Sequence, residues 1–167
     1  MNMQAGSCAR GEAVRVAEEL RYAILALQRE GNRVLASALK PLGVTPSQAE
    51  VIRVLDEYGP LALAGLGELL LCETGTGPSR LVDRLVVQGY VRRTEDPSDR
   101  RSVILTLSPA GRELSGRVAR IEDELYATMD GLTAGHAVEP SLSLLRGMLA
   151  AFPSGAVLDR RAGRLLP

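Results

Sequence analysis

PSRLVDRLVVQGYVRRTEDPSDRRSVILTLSPAG, running from Pro78 to Gly111, reads as a short helix, a turn and two strands joined by a charged loop. Leu81, Val82, Leu85 and Val86 repeat at three- and four-residue spacing, while Arg80, Asp83, Arg84 and Gln88 fall on other faces. Pro78 suits the first turn of such a helix, where a missing N–H costs little, and Gly89 suits the position just past its end. Tyr90 to Arg93 and Ser102 to Leu107 are rich in β-branched and apolar residues, and the second of them alternates, which predicts strands. The segment between them, Thr94 to Arg101, is polar and turn-forming. At Ser108-Pro109 an N-cap hydroxyl followed by proline opens the next helix.

The surrounding chain sets the limits of what this stretch can do. Its 167 residues give room for about one domain with a real core, and 46% apolar with 24% charged residues describe an ordinary globular chain. No run approaches the roughly 18 apolar residues of a membrane span, and the opening MNMQAGSCARGEAVR has no apolar core of a secretory signal, so a cytoplasmic location is expected. The net charge of zero excludes a globally basic nucleic-acid binder. Local charge differs: Arg80, Arg84, Arg92, Arg93, Arg100, Arg101 and Arg112 outnumber the acids from Pro78 to Arg112, and the balance reverses from Glu113 to Glu139. Lys40 is the only lysine; arginine's planar fork suits phosphate and base edges, although a coding bias gives the same composition.

Catalytic and metal chemistry find little support. Cys8 and Cys72 have no C-x-x-C or Cys/His spacing, His136 is the single histidine, and neither a G-x-S-x-G elbow nor a phosphate-binding glycine loop is present. No enzyme activity, metal or cofactor is therefore expected.

Upstream, Val14, Ala17, Leu20, Ile24, Leu27, Val34, Leu35 and Ala38 trace a helix from Glu12 to Leu39 that is longer than one side of a small core needs, which points to a second copy of the chain as its partner. Thr45-Pro46-Ser47-Gln48 is a compact helix start, with a cap, a first-turn proline and a capping-box glutamine, and Gly59-Pro60 ends that helix. Leu61-Ala62 is a candidate short strand beside the wing. Leu63 to Leu71 reads as a helix that Gly65 and Gly67 each weaken by about 1 kcal/mol. Cys72 to Gly77 then turns into the helix at Pro78, a helix-turn-helix pattern. Downstream, Leu114, Val118, Ile121, Leu125 and Met129 mark a helix from Pro109 to about Asp130, and Val138 to Leu149 another that Phe152-Pro153 closes. The tail from Ser154 is either disordered or a short amphipathic helix.

This order of elements resembles the MarR family of bacterial transcription regulators. The residues that carry the resemblance are Leu81-Val82-Asp83-Arg84-Leu85, Gly89-Tyr90-Val91-Arg92-Arg93, the wing motif Asp99-Arg100-Arg101, and Leu107-Ser108-Pro109-Ala110-Gly111, with Ser108 where threonine is usual. The resemblance covers roughly Glu12 to Phe152. The fold class expected is mainly α with a small β-wing: a winged helix-turn-helix lobe (44–112) flanked by N- and C-terminal dimerisation helices (11–43 with 113–152). A disordered N-terminus (1–10) and a tail (153–167) complete the expected organisation.

The resemblance implies a homodimeric repressor that binds a pseudo-palindromic operator in double-stranded DNA and is released by a small-molecule effector. The candidate DNA-binding residues are Thr76, Ser79 and Arg80 at the start of the recognition helix, Arg84 one turn on, and Asp99, Arg100 and Arg101 in the wing. Hydroxyl and guanidinium groups on a helix can reach base edges in a major groove about 12 Å wide, and a helix N-terminus favours phosphate. By resemblance Arg101 enters the minor groove and Asp99 holds its fork. The plain alternative for each is a solvated polar surface, and Arg92 and Arg93 are weaker phosphate candidates. An effector pocket of the family's kind lies near Arg21, Tyr22, Arg53 and Tyr126, which serve equally as packing and surface residues. Two other functions stay open: a winged-helix protein-interaction module without a DNA role, and a redox-sensing regulator acting through Cys8 or Cys72. A lone cysteine is more often a small buried apolar residue.

Overall fold

A computed structural model gives the structure, which describes residues 6–71, 77–95 and 103–165, with side chains from Arg15 to Ala162. The chain divides after Ala38 into two compact units. The first is occupied by α1 (Gly6–Leu39), which opens six residues ahead of the Glu12 start that apolar spacing predicts. Along it the ring of Tyr22 carries the Arg21 guanidinium 5.2 Å from its centroid, and Arg33 pairs with Glu30 at 2.8 Å.

The second unit begins with a single 3-10 turn, Lys40–Leu42, closed by Gly43 at φ 71, a left-handed conformation that glycine adopts without strain. In α2 (Pro46–Tyr58) the expected capping box is complete: the Thr45 hydroxyl accepts from the Gln48 N–H at 3.3 Å and the Gln48 side chain accepts from the Thr45 N–H at 2.9 Å. α2 is the hub, burying Ala49, Val51, Ile52, Val54 and Leu55. β1 (Leu61–Ala62) leads into α3 (Leu63–Gly67), which is shorter than the Leu63–Leu71 helix predicted. Ala62 supplies no side-chain cap, Gly65 and Gly67 lower helix propensity, and the chain leaves through a turn in which the Leu69 N–H bonds the Leu66 carbonyl.

α4 (Gly77–Val87) faces the core with Leu81, Val82 and Leu85. It ends in a Schellman motif: the Tyr90 N–H reaches the Leu85 carbonyl and the Gly89 N–H the Val86 carbonyl, each at 2.9 Å, with Gly89 at φ 78. β2 (Val91–Glu95) and β3 (Val103–Leu107) form the wing, pairing antiparallel in the register Val91↔Leu107 and Arg93↔Leu105. β1 adds to the other edge of β3, giving the sheet order β1-β3-β2.

α5 (Pro109–Thr133) is capped by Ser108, whose hydroxyl donates to the Gly89 carbonyl at 2.6 Å and accepts from the Gly111 N–H at 3.0 Å. One side chain thus ties together the exit of α4, the end of β3 and the start of α5. A Cβ on Gly111 would collide with the Tyr90 carbonyl, which is why that position is glycine. α5 runs three residues past the expected end near Asp130, because one glycine inside a long helix costs only about 1 kcal/mol. α6 (Val138–Leu149) follows, and the tail left open between disorder and helix is α7 (Pro153–Leu165). Gly155 is buried, and a Cβ there would strike the Leu149 carbonyl, so glycine lets α7 turn tightly off α6. Among the described residues no helix is long and apolar enough to cross a membrane.

Candidate nucleic-acid interface

α4 sorts its residues cleanly. Its buried side is Leu81, Val82 and Leu85, while Ser79, Arg80, Asp83, Arg84 and Val87 are open to solvent, with Val87 at 88% exposure. Among the described residues no ion pair engages Arg80 or Arg84. Asp83 is engaged: Arg93 on β2 donates to its carboxylate at 2.7 Å. The wing strand and the exposed side of α4 therefore share one electrostatic surface, in which the α4 acid Asp83 is paired with the wing and, among the described residues, Arg80 and Arg84 have no ion pair.

The N-terminal end of α2 borders the same surface. Gln48 donates to the Gln88 side chain at 3.3 Å, fixing the end of α4 against the start of α2. Gln48, Asp83, Arg84, Val87 and Gln88 line an open hollow of about 310 Å³ there. At the head of α4, Gly77 has φ 66, a value that favours glycine, and a Cβ on Gly67 would stand 3.6 Å from the Pro78 ring, so α3 passes close to the start of α4.

Of the residues proposed from sequence, Ser79, Arg80 and Arg84 share this surface; Thr76, Asp99, Arg100 and Arg101 lie outside the described residues, as do Cys72 and the side chain of Cys8. Asp83 and its pairing with Arg93 escaped the sequence reading, which set Arg93 among weak phosphate candidates. Opposite charge on α4 and β2 was the only signal, and no local rule couples residues across a turn.

A second polar cluster lies between α2 and α5. Arg53 donates to Glu122 at 3.0 Å and to the Ser115 hydroxyl at 3.2 Å, and Ser115, fully buried, donates to Asp56 at 2.9 Å. Burial raises the Glu122 carboxyl above its ordinary range, against the opposing pull of Arg53. Burial, and then the Glu122 charge, raise the Tyr126 phenol as well. Arg53, which the resemblance puts near an effector pocket, is thus committed to holding α5 on α2.

The sequence profile described as MarR family matches residues 42–102, the span from the 3-10 turn into the wing. This lobe of the chain is similar to the MarR family. Among its curated relatives are an HTH-type transcriptional regulator of Bacillus subtilis, YcgE, 33% identical over 56% of this chain and 62% of its own length, and the multiple antibiotic resistance protein MarR of Salmonella typhimurium, 30% identical over 53% and 60%. The chain thus spans about three fifths of the length of these relatives. Among solved structures, reduced MarR from Escherichia coli matches with a TM-score of 0.64 at 25% identity, over 78% of this chain and 96% of that one. A cysteine-to-serine mutant of the same protein, complexed with operator DNA, reaches 0.70 at 24% identity, over 78% and 94%, a likeness of fold. The winged-helix fold expected of the family, mainly helical with a small antiparallel sheet, is the fold observed.

Proposed function

We propose that the protein is a sequence-specific DNA-binding transcription regulator, working as a homodimeric repressor that a small molecule releases. The observation that carries the DNA reading is the outer side of α4, where Arg80 and Arg84 stand clear of ion pairs beside Ser79 while Asp83 is taken up by Arg93 of the wing. A helix presenting hydroxyl and guanidinium groups in this way fits a major groove, with the wing over the flanking backbone. Thr76, Asp99, Arg100 and Arg101, outside the described residues, are the further DNA contacts that the family resemblance implies.

Because the chain is neutral overall, affinity has to come from this local charge and from two copies held in register. Leu132, Leu142, Leu144, Met148 and Phe152 on and beside α5 and α6 are exposed, Leu132 at 75%, and an apolar surface of that kind supports pairing. In this reading 11–43 with 113–152 pair the chains and 44–112 read DNA, with half-sites about 34–36 Å apart. Release by an effector follows from the family alone.

Fluorescence anisotropy with duplex from upstream of the gene, against a scrambled duplex, tests the assignment. Preference for the upstream DNA is expected; equal affinity for both overturns it and favours a protein-interaction module. Sedimentation at micromolar concentration tests pairing, and a single 17.8 kDa species overturns the homodimer. Peroxide that weakens binding in the wild type but not in Cys8→Ser or Cys72→Ser would instead establish a redox sensor.

A further inference from the structure

Glu50 of α2 is a carboxylate in the core, 8% exposed, and one of its oxygens serves two distant parts of the chain. It accepts from the Leu71 backbone N–H at 2.9 Å and from the Arg161 guanidinium of α7 at 2.6 Å. The neighbouring arginine grips the same region: Arg160 donates to the Glu68 carbonyl at 2.9 Å, and its own carbonyl accepts from the Tyr58 hydroxyl at 3.4 Å. α7 is therefore fastened both to α2 and to the turn after α3, the stretch that feeds the recognition helix.

The need for this arrangement follows from the short α3. Once that helix stops at Gly67, the Leu71 N–H lies beyond its hydrogen-bond ladder, and Glu50 provides the acceptor. A buried carboxylate keeps its charge only beside a fixed counter-charge. Arg161 supplies that charge from the far end of the chain. Without that counter-charge the buried carboxylate turns toward water, and its hold on Leu71 weakens.

We propose that Arg161 is a positioning residue for DNA reading: acting through Glu50, it fixes the backbone at Leu71 and so sets where α4 starts. The inference rests on the regulator reading given above. It makes α7 a working part of the DNA-binding lobe, and it gives α6, from which α7 turns at Gly155, a mechanical route to the recognition helix.

The test uses the full chain and three variants: Arg161→Ala, Glu50→Gln and the double substitution. Amide hydrogen exchange followed by NMR reads the Leu71 N–H without DNA, and anisotropy reads operator affinity across salt. In Arg161→Ala, Leu71 should lose protection and affinity should fall about tenfold with the salt slope unchanged. Glu50→Gln keeps an acceptor for Leu71 but removes the charge that needs a partner, so adding Arg161→Ala to it should change neither readout further. This rescue separates positioning from general destabilisation, which would persist in the double variant. Unaltered Leu71 exchange in Arg161→Ala overturns the inference, as does an equal loss in the Glu50→Gln background. A salt slope lower by about one unit overturns it too, by making Arg161 a phosphate contact. A wild type with a protected Leu71 that prefers no upstream DNA overturns the regulator reading instead.

Discussion

Arg93 on the first wing strand and Asp83 on α4 are joined at 2.7 Å, with side chains 38% and 52% exposed. A pair that open to solvent contributes at most about 1 kcal/mol to stability. Its consequence is electrostatic: the α4 acid is paired with a wing guanidinium, and β2 is tied to α4. Asp83→Asn should therefore leave urea unfolding within about 1 kcal/mol of wild type. It should raise affinity for random DNA, by removing a negative charge and freeing Arg93, while lowering the ratio of specific to random binding. Competition titration measures that ratio, and an unchanged value would show the pair to be incidental.

Arg84 and Arg101 should separate by the kind of contact they make. Arg84→Ala, on the exposed side of α4, should cost about 1–3 kcal/mol on the preferred operator and relax selectivity at one position per half-site. Arg101→Ala, in the wing motif, should weaken all sequences alike and lower the salt slope by about one unit. Binding-site selection followed by salt titration distinguishes the two patterns; unchanged affinity in both variants removes α4 and the wing from the interface.

Local chemistry made most of the fold legible. Thr45, Pro46 and Gln48 are neighbours, and their capping box forms as their order dictates. Gly89 and Ser108 likewise mark helix boundaries within a residue. Where the reading departed from the structure, the deciding contacts were remote. The ends of α3 and α5 depended on how far a helix tolerates glycine, which spacing alone does not settle. Glu50, Ser115 and Asp83 carry no signal of their pairing in the sequence, since their partners Arg161, Arg53 and Arg93 become neighbours only after folding. The undecided tail became α7 through the same contacts from Arg160 and Arg161.

Two glycines of α5 should respond oppositely to the same substitution. Gly111→Ala drives a methyl group into the Tyr90 carbonyl and to within 3.3 Å of Leu107, at the junction of α4, the wing and α5. A loss of about 1–3 kcal/mol is expected, as for other overpacked sites. Gly116 is helical and exposed, with nothing within 4 Å of an added Cβ, so Gly116→Ala should stabilise by about 0.4–1 kcal/mol. Urea denaturation measures both, and a neutral Gly111→Ala would show that the junction yields easily.

Glu122 gives the chain a pH dependence of definite sign. Burial raises its carboxyl above the ordinary 4.5, so the folded chain holds this proton more tightly than the unfolded chain does. Its contribution to stability is accordingly most favourable below 4.5 and is lost as pH rises from there through the raised value. This direction is opposite to that of a carboxylate whose pKa a salt bridge lowers. Glu122→Gln retains an oxygen that can accept from Arg53 and removes the titration, so the difference between wild type and variant isolates this group from the other carboxylates. Across that interval the wild type should lose stability relative to Glu122→Gln with increasing pH, levelling off once Glu122 is ionised in both states. Thermal unfolding of the two proteins in matched buffers measures the difference. If the wild type gains on the variant instead, the Arg53 charge outweighs burial at this site, and the α2–α5 contact is held by the ion pair rather than strained by it.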